Sequence, residues 1–171
     1  KPVSASAIED YFYKVFPEDL NASNTLFGGK VMGILDTVAS VVAERHTNQT
    51  CVTAAVDSIH FLNPATQGDV LVCQAAINKA WRTSMEIGVR ISAHNYKLKT
   101  KHHLVSAYLT FVAVDDNRNP IPVPPIMPET VEEKCRYEEA ELRRLHRQQA
   151  ASRKVEQEKD TEMDRRNAAS N

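Results

Sequence analysis

The chain has 171 residues, of which 42% are hydrophobic and 25% are charged, as is ordinary for a globular domain with a core of its own. Its formal net charge of −1 gives no global field that would attract nucleic acid or an anionic membrane, so we expect neither as a partner. The three cysteines, Cys51, Cys73 and Cys135, are odd in number and far apart, which fits neither a disulfide framework nor a zinc knuckle and favours a reducing, cytoplasmic setting.

The first predicted elements are a strand and a long helix. Residues 11–16 are aromatic and β-branched, as strands are, and the proline that opens segment 17–21 ends the run. Asn24 or Thr25 can cap the helix, which contains no proline and runs to about His46. Its apolar residues point almost all round, which is typical of a helix enclosed by the rest of the protein.

Four strand-like runs follow the helix. They cover residues 50–62, 70–81, 85–91 and 104–114, and the third alternates apolar and polar residues with the period of two that strands require. The connections between the runs are short, so neighbouring strands are expected to pair as antiparallel hairpins. This order predicts an α+β fold in which a curved antiparallel β-sheet wraps one long central helix.

The last third of the chain has a different composition. Residues 121–128 are rich in proline, which excludes regular secondary structure and predicts a linker after a domain at 1–120. Residues 129–171 are highly charged, with both signs mixed and a thin apolar stripe, so they predict a charged C-terminal helix that frays toward Asn171. The first interpretation of this tail is a solvated helix without chemistry, and a subunit-contact helix is the alternative.

One carboxylate in the predicted helix is a candidate for chemistry. Asp36 lies in the middle of the helix, and the residues that share its face on a helical wheel are small: Gly29, Gly33, Ser40 and Ala43. A row of small residues leaves room for a ligand beside the carboxylate. The alternative is an aspartate that reaches solvent or pairs with an arginine elsewhere in the fold.

Three residues that precede Asp36 in the chain, Asn21, Gly28 and Gly29, can assist a reaction at a carbonyl group. Gly28 and Gly29 allow a substrate close to the backbone at the helix start, where free N–H groups can stabilise an oxyanion. Asn21, fifteen residues before Asp36, has an amide that can orient water or donate to a carbonyl. Taken alone, a glycine pair more often serves tight packing, and Asn21 would be an ordinary turn or capping asparagine.

Together these residues form a specific pattern. The segment Asn21-Ala22-Ser23-Asn24-Thr25-Leu26-Phe27-Gly28-Gly29, followed by Asp36, resembles the active-site segment of the hotdog-fold acyl-CoA thioesterases. It is most similar to the bacterial single-domain branch that acts on a broad range of acyl-CoAs. The resemblance covers roughly residues 10 to 125 and leaves out the charged tail. Asn24 departs from the pattern, since relatives often carry glycine there.

The resemblance implies a hotdog fold and the hydrolysis of acyl-CoA to free fatty acid and coenzyme A. Asp36 would act as general base on water or as nucleophile, and the resemblance does not decide between the two. Asn21 would polarise the thioester or position water, and the Gly29 amide would donate a hydrogen bond to the oxyanion. Gly28 would contact coenzyme A. The chain would be a homo-oligomer with a dimer as minimal unit, assembled as a trimer of dimers, and Asn21 of one protomer would meet Asp36 of another.

Coenzyme A carries phosphates, and a basic turn between two strands can bind them. Arg82, Thr83 and Ser84 offer a guanidinium and two hydroxyls at such a turn, although a solvated arginine is the alternative. A second basic turn, with Lys97, Lys99 and Lys101, is interpreted first as solvated and second as a phosphate clamp.

No metal and no separate cofactor is expected, because coenzyme A is part of the substrate. His60, His102 and His103 lack the neighbours that metal ligands need. Two rival functions are a hotdog hydratase or dehydratase, which usually pairs a histidine with the acid, and a non-catalytic acyl-CoA sensor. The loop and first turns of the central helix hold no histidine, and the tail has too few apolar residues for the DNA-binding helices of a sensor.

Overall fold

The computed structural model describes residues 1–168. Five strands and two long helices follow each other as β1 (Ile8–Lys14), α1 (Gly28–Thr47), β2 (Thr50–Phe61), β3 (Val70–Ala80), β4 (Ser84–Asn95), β5 (Thr100–Val114) and α2 (Val131–Ala168). Two 3₁₀ turns, Val3–Ala5 and Pro17–Asp19, precede α1. Within the described range no helix is long and apolar enough to cross a membrane.

The five strands form one antiparallel sheet in the order β1-β3-β4-β5-β2. β1 and β2 are therefore the edge strands, although both flank α1 in the sequence. α1 packs across the sheet and contacts every strand. The predicted α+β fold, with one long helix against an antiparallel sheet, is confirmed. The β3–β4 and β4–β5 hairpins form as predicted, but the hairpin expected between β2 and β3 does not, because β2 pairs with β5 at the edge of the sheet.

The core lies between α1 and one face of the sheet, the inner face. Alternate residues of β4 (Met85, Ile87, Val89, Ile91) point toward the helix and are buried, as the period of two requires. They pack with residues from one side of α1 (Val31, Ile34, Leu35, Val38, Val42) in a single cluster. Each such side chain contributes roughly 1.5–3 kcal/mol by leaving water.

The prediction that α1 is enclosed on all sides is wrong for the single chain. The sheet covers one side of the helix only, and the side chains of Met32 and Val41 remain 49% and 37% exposed on the other. Gly33 and Asp36 share this exposed face of α1. Exposed apolar side chains on one helix face are typical of a surface that contacts another molecule.

The start of α1 also differs from its prediction. The helix begins at Gly28, with the backbone of Phe27 still extended, rather than after Asn24 or Thr25. Backbone bonds from Leu26 N–H to Ala65 O (2.8 Å) and from Phe27 N–H to Asp19 O (2.9 Å) hold these residues in the loop. Long-range bonds therefore outweigh the local capping preference.

The proline-rich segment 121–128 has no helix or strand, as predicted, but it is packed against the domain. Val123 and Ile126 are buried, and the Val123 N–H donates to Arg82 O at 2.9 Å. The ring of the fully buried His46 bonds to Pro124 O at 2.8 Å. Burial lowers the pKa of His46.

α2 lies on the outer face of the sheet, and the prediction of a solvated helix is wrong for residues 141–147, which bond to the sheet. Arg143 donates to the fully buried Glu86 of β4 at 2.8 Å, and its guanidinium stacks on the ring of Tyr108 at 3.8 Å. Glu141 accepts from Trp81 Nε1 at 2.9 Å. Asn171, toward which fraying was expected, lies outside the described residues.

All three thiols are free, and they differ in exposure. Cys51 and Cys73 are buried in the core, and burial raises the pKa of Cys73 to about 12. Cys135 is exposed on the first turns of α2.

Candidate active site

A buried aspartate organises the loop before α1. The Asp19 carboxylate accepts hydrogen bonds from the Tyr13 hydroxyl and the Phe16 N–H, both at 2.9 Å, and pairs with Lys30 at 3.2 Å. Burial would raise the pKa of Asp19, but the bonds from Phe16, Tyr13 and Lys30 outweigh it and hold the pKa below its ordinary value. The loop is therefore fixed to both β1 and the first turn of α1.

Asn21 closes the tip of this loop. Its Oδ1 accepts from the N–H groups of Ser23 (2.9 Å) and Thr25 (3.2 Å), and its Nδ2 donates to Thr25 Oγ1 at 3.0 Å. Asn24 has a φ of 57°, a left-handed conformation that asparagine and glycine adopt most easily. Asparagine is therefore compatible with the backbone at position 24, where the resemblance to the family raised an expectation of glycine. The Asn21 amide is a turn residue, yet Nδ2 has a second hydrogen with which to reach a ligand.

Gly28 and Gly29 are the first two residues of α1, so their N–H groups precede the first bond within the helix. A Cβ at Gly29 would lie 2.4 Å from the Phe27 ring, which would have to move. A Cβ at Gly28 would meet only the Phe61 ring, at 3.8 Å. Glycine at position 29 thus leaves the helix amides accessible beside an aromatic ring.

Asp36 lies on the exposed face of α1 with one defined partner. Thr53, on the edge strand β2, donates its hydroxyl to Asp36 Oδ1 at 2.6 Å. A Cβ at Gly33 would meet nothing within 4 Å, so space is open next to the carboxylate as the row of small residues predicts. Ala43, predicted on the same face, is instead buried.

Thr53 is a candidate site residue that the sequence analysis did not identify. It lies inside the predicted strand 50–62 with no glycine, charge or motif to distinguish it from its neighbours. Only the packing of β2 beside α1 brings it to Asp36, seventeen residues away. To find it from the sequence, one would have to know which residue of β2 lies beside Asp36 of α1.

One chain does not bring all the predicted site residues together. Asp36 and Gly29 are separated by about 10 Å along the helix. In the described chain no hydrogen bond joins Asn21 to Asp36, whose side chains bond to Thr25 and Thr53 respectively.

The three residues predicted to bind phosphates lie together where β3 turns into β4: Arg82 and Thr83 are in the turn, and Ser84 is the first residue of β4. Ser84 and Val52 both pair with Val112, so the turn is level with the start of β2. Gly28 lies against Phe61 at the end of β2, roughly 25–30 Å away at the usual rise per strand residue. Within one protomer the turn and the helix start are therefore separate surfaces.

A groove of about 420 Å³ opens next to the start of α1. Its walls are mostly apolar and come from the helix start, the end of β2 and β5: Leu26, Gly28, Val31, Phe61, Leu62, Leu104. Among residues 1–168, no three histidine, cysteine, aspartate or glutamate side chains are grouped so that they could hold a metal ion.

Comparison with known proteins gives consistent matches. A family model described as the thioesterase superfamily matches residues 23–98. The uncharacterized acyl-CoA thioester hydrolase YkhA of Bacillus subtilis is 41% identical over 120 residues, which are 70% of either chain. The crystal structure of an apo-hexameric acyl-CoA thioesterase superposes with a TM-score of 0.85 at 38% identity, covering 88% of this chain and 96% of that one.

A third similar protein is the acyl-CoA hydrolase of Staphylococcus aureus, solved with butyryl coenzyme A and coenzyme A. Its TM-score is 0.82 at 36% identity, covering 92% of this chain and 94% of that one. It has also been solved with alanine in place of one asparagine, one aspartate and one threonine. Those residues follow each other at intervals of fifteen and seventeen, as do Asn21, Asp36 and Thr53.

The matched family model ends well before the charged tail. Residues 129–171 are about a quarter of the chain, so the superposition on the Staphylococcus aureus hydrolase, which covers 92% of the chain, nevertheless includes most of the tail.

Proposed function

The chain belongs to the thioesterase superfamily and hydrolyses acyl-CoA thioesters, and we propose that Asp36, Asn21 and the Gly29 amide carry out that reaction. Its products are a free fatty acid and coenzyme A. The observation that carries the assignment of residues is the hydrogen bond from Thr53 to Asp36, because it orients one carboxylate beside open space on a surface helix face.

The chemistry needs little beyond these groups. The Thr53 hydroxyl bonds to one oxygen of Asp36. The other oxygen takes a proton from water or attacks the thioester carbon itself. Charge that develops on the carbonyl oxygen is stabilised by the Gly29 N–H and the Asn21 amide. A thiol has a pKa of about 8.5, so coenzyme A leaves near neutral pH without a strong acid.

The complete site is formed between two copies of the chain. One thioester group cannot reach both Asp36 and Gly29 of the same helix, which are about 10 Å apart. A second α1 packed antiparallel on the exposed face would bring its own Gly29 and Asn21 beside Asp36. Exposed apolar residues on that face and on the unpaired edge of β2 (Met32, Val41, Val52, Val56) support this arrangement. A hexameric relative supports three such dimers per molecule.

Mixing two inactive variants tests the shared site. In a dimer that joins an Asn21→Ala chain to an Asp36→Ala chain, one site has lost both residues and the other keeps both. We expect each variant alone to be nearly inactive, and unfolding and refolding the two together to restore up to about a quarter of wild-type turnover, measured by thiol release. If both residues served one chain's own site, mixing would restore nothing.

Asn21→Ala alone is expected to lower kcat about 100-fold and to leave KM nearly unchanged, because the amide acts on charge that develops only in the transition state. Steady-state kinetics with one acyl-CoA measures both constants. The loop should persist, since Asp19 holds its other end. A rise in KM at unchanged kcat would assign Asn21 to ground-state binding instead.

The groove beside Gly28 is the place where the acyl chain lies, since its walls are apolar and it starts at the helix amides. Thiol release measured over acyl-CoAs of increasing length gives the preference of the wild type. Phe61→Ala removes an aromatic ring from the wall and should extend the groove. We expect the ratio of kcat/KM for an acyl chain two methylenes longer than the wild-type optimum to kcat/KM for the optimum itself to rise about tenfold. Phe12→Ala, which removes an equally exposed ring from β1, is the matched control and should not change the profile.

Arg82, Thr83 and Ser84 bind the phosphates of coenzyme A from a neighbouring protomer. Arg82 is exposed and Thr83 and Ser84 are partly exposed, which supports this role, and their distance from Gly28 places the nucleotide end against another chain. The free thiols of all three cysteines support a cytoplasmic location.

A further inference from the structure

The strand that carries Thr53 has an irregular register. β2 is an edge strand that pairs only with β5, and the pairing shifts between Thr53 and Ala55 and again between Val56 and Ser58. Each shift leaves one extra residue on β2: Ala54 at the first and Asp57 at the second. Bulges interrupt the ladder and let a strand bend. The ladder alone therefore fixes the position of Thr53 only loosely.

A second attachment holds this bulged stretch from the outer face of the sheet. The carboxylate of Asp57 accepts a hydrogen bond from Arg147 Nη1 of α2 and another, at 3.2 Å, from Thr110 Oγ1 of β5. The side chains of Arg147 and Asp57 are 28% and 11% exposed, so water screens the ion pair less than it screens a pair at the surface. Asp57 thus connects the extra residue of the second bulge to a helix ninety positions later.

α2 is a firm support for that attachment. One turn before Arg147, Arg143 bonds to the buried Glu86 of β4, and Glu141 bonds to Trp81, the residue that follows β3. These contacts fix the helix to the centre of the sheet independently of β2. Arg147 then extends from the fixed helix to the edge strand, so its position does not depend on the bulges.

We propose that Arg147 is a positioning residue for thioester hydrolysis: through Asp57 it holds the bulged part of β2 where Thr53 can donate to Asp36. The inference rests on the proposed role of Asp36. It gives the charged tail a part in the reaction although no tail residue touches the substrate.

Arg147→Ala is expected to lower kcat about tenfold at unchanged KM, since small displacements of a catalytic group cost rate rather than binding. Arg147→Lys should recover most of the loss, because an ammonium still bonds to one carboxylate oxygen. Arg144→Ala is the matched control: it removes an arginine of the same helix whose guanidinium stacks on Trp81, whereas Arg147 pairs with Asp57. Its kcat should equal that of the wild type.

The decisive comparison is made in a Thr53→Ala background. If Arg147 acts through Thr53, adding Arg147→Ala to that background should change kcat less than twofold, because the bond it supports is already gone. A further tenfold loss there, or an unchanged kcat in Arg147→Ala alone, would overturn the proposal. If Arg147→Ala does not assemble, Asp57→Asn keeps the shape of the bulge and carries the same comparison. Should Arg147→Ala prove neutral while Asp36→Ala is inactive, only this inference fails; an active Asp36→Ala would instead remove the proposed site.

Discussion

Asp36→Ala is expected to lower kcat for acyl-CoA hydrolysis about 1,000-fold or more, because the variant has no group to activate water or to attack the thioester. The fold should be preserved. Asp36 lies on an exposed helix face, its one hydrogen bond is to Thr53, and alanine is a good helix former. Circular dichroism and size-exclusion chromatography should give wild-type results, while release of coenzyme A thiol should fall to background.

The matched control for this variant is Glu44→Ala, which removes another exposed carboxylate from α1 about two turns later. It should keep wild-type turnover, since the residue lies outside the proposed site. Asp36→Asn adds a finer comparison, because the amide keeps the size of the side chain and can still accept from Thr53. We expect it to be as inactive as the alanine variant. Turnover within tenfold of wild type in either variant at position 36 would contradict the assignment.

Arg143→Ala is expected to destabilise the protein more than any other single change discussed above. Glu86 is fully buried, and its carboxylate accepts from Arg143 and from Asn78 Nδ2 at 2.9 Å. Without Arg143 the buried charge keeps only the Asn78 amide, and breaking such a pair costs about 3–5 kcal/mol. For a chain of this size that corresponds to a fall in Tm of about 10 °C, measured by thermal denaturation.

The cause of the destabilisation can be separated from a general loss of contacts. Adding Glu86→Gln to Arg143→Ala removes the uncompensated charge, and we expect it to recover at least half of the lost Tm. Arg144→Ala, one residue along α2, should lower Tm by no more than about 2 °C, as is usual for a group near the surface. If the double variant melted no higher than Arg143→Ala, the burial of an unpaired charge would not be the cause.

Much of the fold could be predicted from the chain because local patterns determine it. The alternation of apolar and polar residues in β4 indicated the strand and the face that turns inward, and short connections indicated the β3–β4 and β4–β5 hairpins. The pairing of β2 with β5 was not predicted, because those two strands are far apart in the chain. The start of α1 could not be placed, because bonds from Leu26 to Ala65 and from Phe27 to Asp19 decide it and neither is local.

The site was accessible to sequence reasoning only in part. Asn21, Gly29 and Asp36 stand close together in the chain and form a recognisable pattern, and their roles stay predictions. Thr53 belongs to another element, so no local pattern connects it to Asp36. The exposure of Met32 on α1 could not be foreseen either, since a helix that is apolar all round does not show which molecule covers each side.

The attachment of α2 was hidden for a different reason. Arg143 and Glu141 look like solvated charges in a charged segment, and Glu86 occupies an outward position of an alternating strand. Arg143 bonds to a buried charge and Glu141 to a tryptophan N–H, so hydropathy carries no signal of the contact.

Because the three thiols differ in burial, a dye can be attached selectively to α2. Cys51 and Cys73 are shielded in the core, whereas Cys135 is open to reagents on α2, twelve residues before Arg147. The neighbouring Glu139 raises the pKa of Cys135, so a maleimide dye would couple there slowly but selectively at mildly alkaline pH. The native sequence thus offers one labelling position per subunit, and the fluorescence anisotropy of a dye at that position would report whether α2 stays docked while the enzyme turns over.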